Sequence, residues 1–181
     1  MSRFVSQGRA RAAALLGAAL ALATALPVGA QDEYGVKAAF LFNFAKFVEW
    51  PADAFAAPDA GLVLCVAGAS GVDAAVQETV KGKLVNGRPI EVKRVAEGEV
   101  RGCHLLFIAD GRDRAAALME GARSSSVLTV GETPGFTQLG GVINFTTEDS
   151  KVRFEINEDA ARKARLKISS KLLSLAKNAG S

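Results

Sequence analysis

Hydrophobic residues between Tyr34 and Pro51 recur with the spacing of an α-helix, and polar residues occupy the opposite side. The predicted apolar face consists of Val36, Phe40, Leu41, Phe44, Phe47 and Val48. The predicted polar face consists of Ala39, Asn43, Lys46 and Glu49. Pro51 cannot continue a helix, so the pattern predicts an amphipathic helix that ends there with a bulky aromatic inner face.

Two aromatic residues, Phe42 and Trp50, do not follow this pattern because they project toward the polar side of the predicted helix. Two explanations remain open from the sequence. A neighbouring loop can cover these rings, or they can form part of an edge that binds a partner protein.

Downstream of the helix, short apolar runs alternate with segments of helical spacing. The predicted strands are residues 62–67, 89–95, 104–109 and 127–130, and the predicted helices between them are residues 72–80 and 112–122. Residues 141–147 and 151–157 predict a β-hairpin, and residues 158–165 and 168–177 predict two closing helices. We therefore predict a single-domain α/β fold: a mixed sheet with a parallel core, a C-terminal antiparallel hairpin and helices on both faces.

Residues 1–30 have the pattern of a secretory signal peptide. Arg3, Arg9 and Arg11 precede an uncharged run over residues 12–26, and small residues lead to a predicted cleavage point after Ala30. This run is shorter than the ~20 residues of a membrane-spanning helix. The sequence has no cysteine near Ala30, which argues against a lipoprotein. We therefore expect an exported, soluble protein whose domain comprises residues 31–181, with no membrane insertion.

The signal peptide accounts for the excess of basic residues. The chain has 22 basic and 19 acidic residues, and three of the basic ones lie in residues 1–30, which leaves 19 of each in the predicted mature protein. A net charge near zero gives no electrostatic reason to expect binding to nucleic acid or to an anionic membrane.

Cys65 and Cys103 are the two cysteines of the chain, and both lie in or beside a predicted buried strand. In an oxidising compartment the sequence favours a disulfide between them, which would stabilise the fold by roughly 4 kcal/mol in the chain-entropy model. Two buried thiols, each behaving as a small apolar side chain, are the alternative.

Catalytic motifs are missing from the sequence. The single histidine, His104, lies at the start of an apolar strand, where a core or strand-end role is expected, and no nucleophile–base, zinc-binding or P-loop motif is present. The sequence thus predicts neither an enzyme nor a metal or cofactor site. A small-molecule crevice remains possible where parallel strands end, at Ser70, Arg112 and Thr133, although these positions also suit tight structural turns.

Six segments, in the same order, resemble the YfiR-like periplasmic proteins. They are KAAFLFNFAKFVEWP, the Cys65 strand, CHLLFI, LTVGETPGF, GGVINF and VRFEINEDAARKARLKISSKLLSLA. The resemblance covers essentially the whole predicted mature chain. It implies a compact, often dimeric periplasmic α/β domain that binds the periplasmic part of an inner-membrane diguanylate cyclase and holds it inactive. Related domains also occur near sensor kinases and outer-membrane components.

The chain departs from some members of that family, which carry a second cysteine pair near the position of Gln138 to Phe145 here. A redox response that depends on this second pair is therefore not expected. For partner binding the sequence offers two candidate surfaces: Phe42 with Trp50, and an apolar surface with an acidic edge formed by Phe145, Glu155, Ile168 and Leu172. The family resemblance favours the second, because the closing segment is among the best matched. The alternative function is a periplasmic small-ligand sensor that uses the predicted crevice and feeds another signalling partner.

Overall fold

A computed structural model describes residues 28–68, 71–95, 99–109 and 111–177. The helices are α1 (Val28–Phe47), α2 (Val72–Val80), α3 (Arg112–Ala122), α4 (Glu158–Lys163) and α5 (Ser170–Leu173), with a 3-10 turn at Ala52–Ala54. The strands are β1 (Val48–Glu49), β2 (Leu62–Ala67), β3 (Leu84–Val85), β4 (Arg88–Val95), β5 (Leu105–Ile108), β6 (Leu128–Gly131), β7 (Ile143–Glu148), β8 (Lys151–Ile156) and β9 (Lys167–Ile168).

Seven of these strands form one mixed sheet in the order β3-β4-β2-β5-β6-β7-β8. The five strands from β4 to β7 run parallel, and the edge strands β3 and β8 are antiparallel to their neighbours. The predicted hairpin is the β7–β8 pair, with Phe145 opposite Phe154. These features confirm the predicted α/β class.

Central strands β2 and β5 are buried on both faces. Leu64 and Val66 of β2 point into the core beneath α1 and α2, whereas Cys65 points into a second core beneath α3. In the same way, Phe107 and Leu106 of β5 belong to opposite cores. Because successive side chains of a strand alternate between its faces, a continuous apolar run requires helices on both sides of the sheet. The structure confirms this arrangement.

Helix α1 contributes Phe44 to an aromatic cluster over the sheet. The Phe44 ring is fully buried, and its centroid lies 5.9 Å from that of Phe40, 5.7 Å from that of Phe145 and 5.0 Å from that of Phe154. These separations suit offset and edge-to-face aromatic packing. The predicted inner face is correct for Leu41, Phe44 and Val48, which are all fully buried.

Other positions of α1 correct the prediction. Val36 is exposed, and Phe40 and Phe47 are only half-buried, whereas the small residues Ala38 and Ala45 are fully buried. The buried face is rotated toward these alanines because α1 packs closely against α2 as well as against the sheet. The periodicity identified the apolar side of the helix, but the large residues placed the centre of the predicted buried face too far from the alanines.

The C-terminal segment contains less helix than expected. Residues 168–177 form only the short helix α5, because β9 pairs with β1 and Lys177 pairs with β8. The backbone N–H of Ser169 donates to the carbonyl of Phe47 at 2.9 Å, and that of Lys177 donates to Phe154 at 2.9 Å. These long-range bonds hold both ends of the segment against distant elements, so a continuous helix cannot form.

Candidate functional site

The two cysteines form a disulfide between adjacent strands of the sheet. Cys65 lies in β2 and Cys103 lies two residues before the neighbouring strand β5, with Cα atoms 5.8 Å apart. Both side chains are buried in the core beneath α3. The predicted disulfide is confirmed, and it joins two segments of the central sheet at a distance that suits its geometry.

A crevice of about 610 Å³ opens at the carboxyl end of strand β6 and along β7, next to the start of α1. Its polar lining includes Glu33, Lys37, Glu132, Gln138, Asn144, Thr146, Thr147 and Glu155. Ligands of open parallel sheets settle at such strand ends. The crevice therefore lies at a strand end, as the strand order suggested, but of the predicted residues neither Arg112 nor Thr133 is among its lining.

Lys37 is the charged centre of this crevice. It is buried, and its Nζ donates to Glu132 Oε2 at 2.7 Å and pairs with Glu33 Oε1 at 2.6 Å. Burial lowers the pKa of Lys37, but the hydrogen bonds and charges of the two carboxylates outweigh it, so the pKa is raised above its ordinary value. One ammonium held by two carboxylates leaves this part of the crevice with an excess of negative charge.

The opposite wall of the crevice is stabilised by side-chain hydrogen bonds. The Asn144 side chain is buried, and its hydrogen bonds are satisfied when the amide nitrogen faces the end of β6. In that orientation the nitrogen donates to the carbonyls of Gly131 at 3.1 Å and Thr133 at 3.3 Å, which ties the end of β6 to β7. Thr137 Oγ1 donates to Glu155 Oε1 at 2.9 Å. Thr146 Oγ1 is buried, and the described residues provide it with no hydrogen-bond partner.

The three predicted crevice residues do not line this cavity together. Ser70 lies outside the described residues. Arg112 is exposed at the start of α3, where its Nη1 donates to the carbonyl of Pro134 at 3.4 Å, and Thr133 is half-buried in the same loop. The structure thus places Arg112 beside the loop after β6, but Pro134 and Gly135, rather than Arg112 or Thr133, contribute to the lining.

Phe42 and Trp50, the first candidate partner surface, are both half-buried. Trp50 Nε1 donates to the carbonyl of His104 at 3.0 Å, which fixes its indole against the end of the sheet. The ammonium groups of Lys46 and Lys83 lie over the Phe42 ring, 5.5 and 4.8 Å from its centroid. Both rings therefore pack against the core and also reach the surface.

The second candidate surface needs correction. Phe145 and Leu172 are buried, with 4% and 2% of their surface exposed, so they do not form an exposed apolar patch. Phe145 projects from β7 into the aromatic cluster beneath α1, and Leu172 belongs to the same core. Glu155 and Ile168 are half-buried, the first at the crevice and the second on β9. Sequence alone did not show which face of β7 helix α1 would cover.

His104 occupies a buried position at the end of the sheet opposite the crevice. Its Nδ1 accepts from the backbone N–H of Val63 at 3.0 Å, and its Nε2 lies 3.1 Å from the carbonyl of Ala54. These partners require a neutral ring with the proton on Nε2. The Phe55 ring stacks on His104 at 4.4 Å, and the Arg88 guanidinium lies 3.9 Å from the Phe55 centroid. The predicted structural role of His104 is thereby confirmed.

The surroundings of His104 disfavour its charged form. Burial lowers the pKa of His104, the positive charge of Arg88 lowers it further, and the hydrogen bond to Ala54 opposes both. Phe55 and Ala54 belong to the irregular segment before β2, which sequence patterns left without a role. His104 therefore attaches this segment to the sheet through a bond that requires the neutral ring.

Neither a metal-binding cluster nor a membrane-spanning helix is present in the described part of the chain. No group of three or more His, Cys, Asp or Glu side chains there is arranged to hold a metal ion. No helix among those residues is long and apolar enough to cross a bilayer.

Comparison with known proteins gives one family match. Residues 34–177 match the DUF4154 family model, described as YfiR/HmsC-like. Among solved structures, a conserved domain protein from Vibrio cholerae O1 biovar El Tor strain N16961 is 9% identical, with a TM-score of 0.44 over 64% of this chain. The matched part spans 54% of that protein. A search of curated proteins found no significant match. Because the family model covers residues 34–177 of the 181-residue chain, well over half of it, this chain belongs to the YfiR/HmsC-like family.

Proposed function

We propose that this protein is a periplasmic repressor that binds the periplasmic part of an inner-membrane diguanylate cyclase and thereby lowers cyclic-di-GMP. The family match over residues 34–177 carries the proposal, because YfiR-like proteins are periplasmic regulators of cyclic-di-GMP signalling and not enzymes. Repression by contact needs a binding surface rather than a reactive group. By lowering cyclic-di-GMP, it would reduce biofilm formation.

Export follows from the same proposal. We propose that residues 1–30 are a signal peptide and that residues 31–181 are the mature domain. Helix α1 begins at Val28, so cleavage after Ala30 would remove only its first residues. The ion pair of Glu33 with Lys37 and the core contacts that start at Tyr34 lie beyond this point. N-terminal sequencing of the protein from a periplasmic extract tests this, and an intact Met1 would contradict it.

The proposed contact surface includes Phe42 and Trp50, because each ring is half-buried and reaches solvent from a fixed position. Rigid aromatic rings of this kind supply most of the energy at many protein interfaces. Alanine at such an anchor should weaken cyclase binding by about 1–3 kcal/mol. Phe44→Ala is the matched control, because it removes a fully buried ring from the same helix and should lower stability first.

The experiment combines a cellular and a binding measurement. Deleting the gene should raise cyclic-di-GMP. Adding back the parent protein should return cyclic-di-GMP to its original level, whereas a variant without the contact surface should leave it raised. Pull-down with the cyclase periplasmic domain and thermal melts should separate binding from stability for Phe42→Ala and Trp50→Ala. Unchanged cyclic-di-GMP after deletion would refute the repressor function. If the variants lose binding only as far as they lose stability, Phe42 and Trp50 are not the contact surface.

A second candidate function is a small-ligand sensor, and the 610 Å³ crevice favours it. The buried Thr146 Oγ1 has no hydrogen-bond partner among the described residues, and a bound polar ligand could supply one. Thermal shifts with a panel of amino acids, amines and nucleotides test this function. A ligand that stabilises the parent but not Thr146→Val supports it, whereas a panel without any shift argues against it.

Self-association is also part of the proposal, since members of the family are often dimeric. Analytical ultracentrifugation of the mature domain at several concentrations measures it directly. A monomer at every concentration would exclude a homodimer and leave the cyclase contact as the proposed interaction.

A further inference from the structure

Two half-buried phenylalanines of α1 alternate with three exposed lysines along one side of the molecule. In spatial order the residues are Lys83, Phe42, Lys46, Phe47 and Lys171, and we call this row the lysine–aromatic strip. The ammonium-to-centroid distances along the strip are 4.8, 5.5, 6.0 and 5.3 Å. Three separate elements contribute to it: α1, the turn before β3, and α5.

The three lysines of the strip take part in none of the ion pairs of the described residues. Among the described residues, no carboxylate forms an ion pair with Lys46, Lys83 or Lys171. Their described partners are the ring faces of Phe42 and Phe47, which attract a cation but leave its charge uncompensated. On a mature chain with equal numbers of basic and acidic residues, this is a localised positive surface.

An apolar groove of about 340 Å³ continues the strip beyond Lys83. It is lined by Val80, Leu84, Pro89, Ile90 and Val92, together with the turn residues that precede β3. Leu84 is 59% exposed, which is unusual for a leucine in a strand of this domain. The surface therefore presents a row of cations followed by a place for one apolar side chain.

We propose that the lysine–aromatic strip is the docking site for an acidic segment of the partner protein, with an apolar residue of that segment in the Leu84 groove. The proposal rests on the proposed function and specifies the chemistry of the partner. Three unpaired ammonium groups complement carboxylates, and the ring faces between them offer contact area to the backbone and stems of the segment. Summing the four contact distances bounds the strip at about 22 Å, which an extended segment of roughly six or seven residues covers.

An anionic membrane fits this surface less well than an acidic segment does. Membrane-binding surfaces insert several protruding apolar side chains into the lipid, but Phe42 and Phe47 pack against the protein core, and apart from Pro89 only Leu84 of the apolar residues named for this surface is largely exposed. The equal numbers of acidic and basic residues in the mature chain also give it no overall attraction to anionic lipid. A single extended chain, by contrast, can follow one row of three cations.

The test compares charge reversals at two matched sets of lysines. The strip variant is Lys46→Glu, Lys83→Glu and Lys171→Glu. The control variant is Lys93→Glu, Lys151→Glu and Lys163→Glu, which changes the net charge equally at exposed lysines elsewhere. The probe is a fluorescent ten-residue peptide of glutamates with one leucine, and its counterpart has glutamine in place of every glutamate. Vesicles of phosphatidylglycerol and phosphatidylcholine form a third arm.

At low salt, the parent and the control variant should bind the glutamate peptide at least about tenfold more tightly than the glutamine peptide. The strip variant should lose this preference, and Leu84→Ala should weaken binding of the leucine-containing peptide by about threefold. Thermal melts establish that each variant is folded. If the strip variant does not fold, glutamine at the same three lysines keeps the side-chain stems and should still abolish the preference.

Several results would overturn the proposal. These are equal binding of both peptides by the parent, equal losses in the strip and control variants, and binding to phosphatidylglycerol vesicles without binding to the peptide. A complementation arm separates this proposal from the proposed function. If the parent lowers cyclic-di-GMP and the strip variant lowers it equally, the repressor function stands but the docking site is wrong. If deletion leaves cyclic-di-GMP unchanged, the repressor function fails and the peptide arm still decides whether the strip binds acidic segments.

Discussion

Phe44→Ala should be the most damaging single truncation on helix α1. The Phe44 side chain is fully buried and meets the rings of Phe40, Phe145 and Phe154 at centroid distances between 5.0 and 5.9 Å. Removing a buried phenylalanine ring costs about 3–5 kcal/mol, from lost hydrophobic transfer and from the cavity that remains. The aromatic contacts around this ring favour the upper part of that range.

Such a loss is large relative to the stability of a domain of this size. Small domains unfold with about 5–15 kcal/mol, so this single change would remove a third or more of a typical value. For a domain of about 150 residues, each kcal/mol shifts Tm by roughly 2–4 °C, which predicts a fall of about 8–16 °C for a 4 kcal/mol loss. Urea titration should show a lower midpoint with an unchanged slope.

Phe47→Ala provides the matched control on the same helix. The Phe47 ring is half-buried and faces the ammonium groups of Lys46 and Lys171, so its truncation leaves a groove open to water rather than a cavity. We expect a loss of about 1–2 kcal/mol, less than for a fully buried ring. A Phe44→Ala variant that loses less than about 1 kcal/mol, or no more than Phe47→Ala, would refute the assigned packing of α1.

Three further predictions concern the disulfide, His104 and a helix cap. Thiol labelling of the denatured, unreduced protein should find no free thiol, and Cys65→Ser should lower stability by up to about 4 kcal/mol, since the bridge spans 38 residues; two labelled thiols would contradict the bridge in the exported protein. Because the pKa of His104 is lowered in the fold, its neutral ring stabilises the protein fully above the unfolded pKa of about 6.5, and this stability is lost as pH falls from there toward the folded pKa. Urea titrations from pH 7.5 to 5 should therefore show a steeper loss for the parent than for His104→Gln, and parallel curves would refute the assignment. Asn157→Ala should cost about 1 kcal/mol or slightly more, because the Asn157 side chain accepts from Ala160 N–H at 2.9 Å at the start of α4 and donates to the Thr137 carbonyl at 3.0 Å; an unchanged Tm would contradict this.

The local sequence pattern was sufficient to predict the limits of several helices and strands and the parallel centre of the sheet. The predicted limits of β2, α2 and α3 coincide with those of the structure. Strand β2 is a continuous apolar run, α2 and α3 have helical spacing, and turn residues or glycines lie at their boundaries. The parallel centre of the sheet also followed from pattern, since strands such as β2 and β5 are apolar at every position and must be covered on both faces. The disulfide was predictable because both cysteines lie in or beside buried strands of a chain expected to enter an oxidising compartment.

The partner surfaces and the crevice depended on contacts between residues far apart in the chain. Lys37 lies on a helix whose pattern suggested only an amphipathic surface, yet it is buried because Glu132, at the end of β6, pairs with it. Phe145 looked available in an isolated hairpin, but α1 covers it through Phe40 and Phe44.

The β1–β9 pair and the lysine–aromatic strip likewise unite segments more than a hundred residues apart, and neither segment carries a local signal of the other. A period in the sequence reports which side of an element is apolar, because burial of that side drives folding. Which element covers it, and which charges then remain unpaired at the surface, depends on long-range packing, and only the tertiary structure decides that.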